Sequence, residues 1–313
     1  MASPVRCPKC RAYIPAGATF CGLCGTRLSP QPADQPGTGH PNEPPPGQED
    51  KPPTSTAPKA APTFAPKNLG DLLRETFRVY GKNLWTMWWI SLIANIPTFL
   101  FPLLLEVFPQ DQAIALSIYP VGSLFTGLLG CAASVHAVAQ WYLGRRASAL
   151  SCYVAALENG NSLLLAALVF VGAVVASAAL IVILVGIPLL AFVSVVFFFF
   201  IQAIMVERKR PMESLRRSLA LVQGSWWRVF GIGAVFLAIL LTGAIGAALP
   251  GMVLVSTSQL AGNLLSALGG VFVLPVWFIG GTLVYFDLRV RKEDFTLGTL
   301  ASDVAGPKEK PSV

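Results

Sequence analysis

Four of the six cysteines stand near the N-terminal end, as Cys7-Pro8-Lys9-Cys10 and Cys21-Gly22-Leu23-Cys24, with ten residues between the pairs. Four thiolates at this spacing can close a tetrahedral shell around Zn²⁺, a cation whose softness suits sulfur. Pro8 fixes the first turn, and Gly22 and Gly25 allow the second to be tight. All four positions are filled by protein, so the site reads as closed and structural rather than catalytic. A redox pair or free thiols is the competing reading, and zinc is favoured over it. About thirty residues cannot build a core, so metal would supply most of the folding free energy.

The remaining polar chemistry is sparse. His136 lies in the apolar run CAASVHAVAQW. An ionisable group within a membrane span is a functional candidate by default. It has no HExxH pattern and no carboxylate neighbour in sequence, and an interhelical hydrogen bond is the better reading. Asn95 and Gln202 invite the same reading, and the three form a candidate intramembrane polar cluster. Glu207 and Asp287 each precede arginines and are expected to pair with basic clusters at helix ends. A hydrolase needs a nucleophile, a base and an oxyanion stabiliser, and no such set assembles here. The chain is therefore expected not to be an enzyme.

The elements that position these residues follow from composition. The chain has 313 residues, 54% hydrophobic and 12% charged, with a mean hydropathy of +0.61. Soluble domains carry about 25% charged residues, so the main solvent is a bilayer. Four regions are expected: a cysteine module over 1–29, a Pro-rich disordered linker over 30–67, a six-helix transmembrane domain over 68–292 and a loose tail over 293–313. The linker has too few large apolar side chains to bury anything. Spans are expected near 84–105, 118–142, 163–185, 188–206, 227–249 and 264–286, each close to the ~20 residues that cross a bilayer. Gly186 and Pro188 mark the turn within the long apolar stretch between residues 163 and 206.

Orientation follows from charge. Intervals 106–117, 186–188 and 250–263 contain no Lys or Arg, and all 23 lie elsewhere. The positive-inside rule then puts both termini and the cysteine module in the cytoplasm, as expected of an inner-membrane multi-pass protein. Clustered thiols agree with a reducing compartment, and no apolar h-region of a signal peptide is seen in the first thirty residues. Three segments, 69–85, 150–164 and 212–227, precede the odd spans. Each has apolar residues at helical spacing, then Gly81, Gly160 or Gly224 as a stop. The fold expected is all-α: six transmembrane helices as three hairpins, each preceded by an interfacial amphipathic helix, plus the small cysteine module. In the first such helix Leu69, Leu72, Leu73, Phe77 and Tyr80 share a face; in the third, Met212, Leu215, Leu219 and Val222.

The stretch CPKC, IPAGATFC, GLCGTRL over 7–28 resembles the short zinc-ribbon modules at the ends of many prokaryotic membrane proteins. A second resemblance rests on IMVERKRPMESLRRSLALVQGSWWRVF (204–230) and VYFDLRVRKEDF (284–295). These are similar to the six-span membrane domain fused to some glycerophosphodiester phosphodiesterases, over about residues 68–295. In that family hydrolysis belongs to a separate soluble barrel, for which this chain has no room. The resemblance implies the membrane module without the chemistry. The basic clusters should attract anionic lipids at about 1 kcal/mol per residue, with Arg208, Arg210 and Arg289 as candidate headgroup contacts. Arg6, Lys9, Arg11 and Arg27 with Tyr13 and Phe20 make a weak nucleic-acid footprint. A protein partner is the expected contact of the ribbon. The leading expectation is a non-enzymatic membrane protein with a tethered interaction module; the alternative is a transporter or lipid-handling protein.

Overall fold

A computed structural model describes residues 5–6, 13–14, 64–107 and 112–305. The chain divides into two units, Met1–Ala57 and Pro58–Val313. In the first, β1 (Val5–Arg6) pairs antiparallel with β2 (Tyr13–Ile14), Val5 opposite Ile14 and Arg6 opposite Tyr13. In sequence, Cys7 and Cys10 fall between the residues of these strands. Cys7, Cys10, Cys21 and Cys24 themselves, and the linker up to residue 63, fall outside the described residues.

The second unit is helical. Its order is α1 (Leu69–Lys82), α2 (Leu84–Ala94), α3 (Ile96–Val107), α4 (Gln112–Tyr142), α5 (Ala149–Glu158) and α6 (Gly160–Ala179). Then come α7 (Gly186–Val196), α8 (Phe200–Glu207), α9 (Pro211–Val222), α10 (Trp226–Val255), α11 (Gln259–Glu293) and α12 (Leu297–Ala305). Six stretches among the described residues are long and apolar enough to cross a membrane: Leu84–Val107, Leu116–Tyr142, Gly160–Ala179, Gly186–Glu207, Trp226–Val255 and Gln259–Glu293. The last two exceed expectation. At 1.5 Å per residue they are about 45 and 52 Å long, well beyond a ~30 Å hydrocarbon core. The extra turns of α11 carry Asp287, Arg289, Arg291 and Glu293.

The six spans are not equivalent. Within an 18-residue apolar stretch of each, the buried share is 50%, 44% and 61% in the second, fourth and sixth, and only 17%, 22% and 11% in the first, third and fifth. The even spans therefore form the core and the odd spans its rim. The short helices follow this rule. α5 packs on the second span, α9 on the fourth, and α1 on the sixth, so the first unit closes on the last. This cyclic placement is what three repeated units would give.

Sequence dictates the joints. Asp71 and Lys82 sit at the helix ends of α1 that favour their charges. Ser148 caps α5 by accepting from Ser151 N–H at 3.1 Å, and Pro211 opens α9. Only the third glycine acts as the expected stop: Gly224 has φ +77. Gly81 lies inside α1 and Gly160 opens α6. Asparagine ends the first two helices instead, Asn83 Nδ2 donating to Val79 O at 3.0 Å and Asn159 Nδ2 to Ala155 O at 2.9 Å. The buried faces coincide with the expected apolar faces only in part: Leu69, Leu73 and Tyr80 are half-buried against the core, and Leu215 and Val222 are buried. In α1 the buried residues are Leu72, Thr76 and Val79, with Phe77 exposed; in α9 they include Ser214, Leu215 and Ser218, with Met212 and Leu219 exposed. The exposed apolar residues are those a bilayer would cover.

The turn at Gly186 is as expected. A four-residue 3₁₀ turn, Leu180–Ile183, and left-handed Leu184 (φ 60) reverse the chain. Gly186 is forced by close approach, since a Cβ would run into Ile181 N and the Leu180 carbonyl carbon. The α10–α11 hairpin closes along small residues four apart, Gly243, Ala247 and Gly251, facing Val273, Gly269 and Gly262.

Candidate functional site

The polar chemistry of the helical unit gathers at the basic end of the core spans, in two clusters. The first is built on Asp287, whose side chain is 1% exposed. Its carboxylate accepts from Lys67 N–H at 2.6 Å, Arg228 Nη2 at 2.8 Å and Arg291 Nε at 2.9 Å. The same two arginines donate to Lys67 O, at 2.7 and 2.9 Å. Asp287 thus holds one end of the residue's main chain and the arginines the other. The Lys67 ammonium reaches Tyr142 Oη at 3.3 Å, and Tyr142 donates on to Glu75 at 3.1 Å. Burial lowers the Lys67 pKa, against the pull of Glu75 and Asp287. Three residues earlier, Phe64 packs among Tyr142, Phe286 and Phe295, with ring centroids 5.0 to 5.6 Å away. Residues 64–67, assigned to the linker from composition, are therefore a docked strap.

The second cluster is built on Glu207. Arg217 Nε donates to both its oxygens at 2.9 Å, Tyr285 Oη donates to it, and Arg289 Nε lies 3.5 Å away. Arg217 also grips Glu293, and Arg289 pairs with Glu293 at 3.2 Å and Asp303 at 2.8 Å. Burial works against the charge of Arg217, and Glu293 and Glu207 outweigh it, holding its pKa above the ordinary range. The expected pairing of Glu207 and Asp287 with arginines is present. Arg289, expected to meet a headgroup, is instead 9% exposed and engaged by three carboxylates. Arg208 is exposed and donates to Val304 O at 3.0 Å, and Arg210 is exposed. The tail expected to be loose over 293–313 is a helix over Leu297–Ala305. Leu300 is fully buried, and the helix is fastened by Arg208 and Arg289. Residues 306–313 lie outside the described residues.

No hydrogen bond joins Asn95, His136 and Gln202 to one another among the described residues. Asn95 Nδ2 donates to Ser91 O at 2.8 Å, ending α2 within the first span. His136 Nε2 lies 3.2 Å from Gln140 Nε2 on its own helix, a local contact rather than the expected interhelical one. The residue before Asn95, Ala94, accepts from Thr126 and abuts Gly130. His136 is six to ten residues further along that helix, roughly 9–15 Å away. Gln202 is 3% exposed, and its Oε1 has no partner among the described residues. Cys131 and Cys152 are free thiols; burial pushes Cys152 up to about 11, which leaves it protonated and a poor nucleophile. No group of three His, Cys, Asp or Glu able to hold a metal occurs among the described residues.

The fourth span is broken at Phe197–Phe199, without proline or glycine. Ser218 of α9 mends the break: it accepts from Phe199 N–H at 3.1 Å and donates to Val196 O at 2.6 Å. Beside the break lies an apolar cavity of about 320 Å³ between the fourth, fifth and sixth spans. The prolines of the spans do not mark their breaks. Pro102 and Pro275 lie inside continuous helices, and the first span breaks at Asn95, two residues before Pro97.

Comparison with known proteins bears on both units. The family described as Domain of unknown function (DUF7847) matches residues 115–286. The zinc-ribbon domain matches residues 6–28. No curated protein and no solved structure matches the chain. Nothing in these comparisons supports the resemblance to the membrane domain of glycerophosphodiester phosphodiesterases.

Proposed function

The chain belongs to the family described as Domain of unknown function (DUF7847), and from its residues we propose a non-enzymatic integral membrane protein with a tethered zinc-ribbon interaction module. The observation that carries this reading is the strap. A main chain gripped at both ends by Asp287, Arg228 and Arg291, with Phe64 seated among three rings, gives the tether a fixed exit from the basic end of the core. The zinc-ribbon match implies zinc binding. The donor set fits that metal: four thiols as two CxxC pairs, the first flanked by the paired strands β1 and β2. Cys7, Cys10, Cys21 and Cys24 would hold it, and zinc there supplies folding rather than chemistry. Positive-inside places the basic end, the strap and the ribbon in the cytoplasm at the inner membrane, among anionic headgroups.

About 35 residues separate ribbon and strap, and a tether of that length, at ~3 Å per residue if partly extended, would span several tens of Å. The ribbon can then meet a protein partner that the membrane unit holds near the surface. The test is affinity purification from native membranes of the full chain and of a Cys7→Ser/Cys21→Ser variant, with zinc and copurifying protein both quantified. One zinc per chain and a stoichiometric partner lost in the variant is the expected result. An identical partner set in the two would overturn the module reading. A second reading, lipid handling, is favoured by the apolar cavity beside the broken fourth span.

A further inference from the structure

The cavity has a lateral mouth. Its wall on the fifth span is Phe230, Gly233 and Leu237, and its floor is Trp277 of the sixth, with Val195 and Phe198 of the fourth opposite. Phe230 and Leu237 are 39% and 43% exposed, and the same stripe continues to exposed Leu241 and Ile245. The groove is therefore continuous with the lipid-facing surface of the fifth span. Its volume is at the small end of the roughly 300–1,000 Å³ typical of ligand sites.

The depth of the groove is fixed by its neighbours. Trp226 and Trp227 open the fifth span, and Trp227 is 78% exposed, the position of an interfacial belt. Leu237 is eleven residues below Trp226, roughly 16 Å along the helix. The groove thus runs from headgroup level down the acyl region of the leaflet on the basic side. In the first turn of the fifth span, beside the lining residues Val229 and Phe230, two buried hydrogen-bond donors lack partners among the described residues, Trp226 Nε1 and Arg228 Nε. Trp226 stacks on the lining residue Phe230, centroids 5.1 Å apart and planes 7° off parallel. Arg228 precedes the lining residue Val229 in the chain; its Nη2 is held by Asp287 and the Lys67 carbonyl, and its Nε is left to donate. Both orphans are donors, so the group they lack is an acceptor; Arg228 and Arg291 share the single carboxylate of Asp287, and the excess positive charge favours an anionic one.

We propose that this groove binds one acyl chain of an anionic bilayer lipid, whose phosphate and ester oxygens meet the donors of Trp226 and Arg228. The apolar lining takes the chain, and the two donors select the head. The inference is independent of what the ribbon binds.

The test uses the full chain in nanodiscs of equal phosphatidylglycerol and phosphatidylcholine, released for native mass spectrometry. Gly233→Leu plugs the groove, and a Cβ there meets nothing within 4 Å, so the helix tolerates it. Gly246→Leu, on the same span with equally open space and outside the groove lining, is the control. Trp226→Phe keeps the ring and removes one donor. The expected result is one retained phosphatidylglycerol per chain, reduced at least about fivefold by Gly233→Leu and unchanged by Gly246→Leu. Trp226→Phe should narrow the preference over phosphatidylcholine about three- to tenfold, as one hydrogen bond of about 1 kcal/mol implies. Equal retention in Gly233→Leu, or no preference between the two lipids in the wild type, would overturn the proposal. A dimer mass abolished by Gly233→Leu would also do so, by giving the groove to a second copy.

Discussion

Replacing Asp287 with Asn should unfasten the strap. The carboxylate accepts three hydrogen bonds, from Lys67 N–H, Arg228 and Arg291, while almost fully buried. Removing one partner of a buried ion pair costs about 3–5 kcal/mol. Both arginines are about a third exposed, so solvent recovers part of their loss, and about 2–3 kcal/mol is the fair figure here. The cost falls on docking of residues 64–67 rather than on the helices. Trypsin reads it directly, because the peptide bond after Lys67 carries the carbonyl that both arginines hold. Where opening is fast, cleavage tracks the open population. At 1.4 kcal/mol per tenfold, cleavage after Lys67 should accelerate about 30- to 150-fold. Cleavage after Lys59 in the same digest calibrates the protease. An unchanged ratio of the two cuts in Asp287→Asn, or a wild type cut equally fast at both, would refute the strap.

Other expectations follow from the joints. Ser218→Ala should destabilise the helical unit by about 2–4 kcal/mol, since Phe199 N–H and Val196 O lose their shared partner in an apolar break; Ser218→Thr should restore most of it, both read by thermal unfolding in nanodiscs. Gly186→Ala should lower the same midpoint by at least the ~1–3 kcal/mol typical of overpacking, because the new Cβ meets main chain rather than a movable side chain. Chelation should release one zinc per chain from the ribbon and leave the far-ultraviolet helical signal unchanged; a global loss of helix would show that the two units depend on each other.

The six spans and the turn at Gly186 were legible because apolar length and breakers are local signals. The zinc-ribbon stretch was legible because its ligand types and spacing are local too. Charge told which end was basic, and that Glu207 and Asp287 face arginines. It could not tell that Arg289 is consumed by three carboxylates, because Glu207 and Asp303 reach it only through tertiary folding. The strap was invisible for a related reason. Phe64 and Lys67 follow a proline-rich stretch, and composition averages over the very residues that dock. The break at Phe197–Phe199 carries no breaker residue, and its stabiliser, Ser218, lies on another helix. Asparagine at the ends of α1 and α5 was overlooked in favour of nearby glycines, although its side chain can do the same work on the last carbonyls.

The strap also sets an order of assembly. Lys67 and Asp287 are 220 residues apart in sequence, and α1 rests on the sixth span, the last to be made. At 5–20 residues per second, a ribosome needs about 11–44 s to travel that distance. For that interval the nascent chain can join Glu75 and Phe64 to Tyr142 of the second span, but the Lys67 main chain lacks the carboxylate that holds it. Only a chain translated through Asp287 can close the ring and anchor its own N-terminal tether, so the contact distinguishes finished molecules from truncated ones.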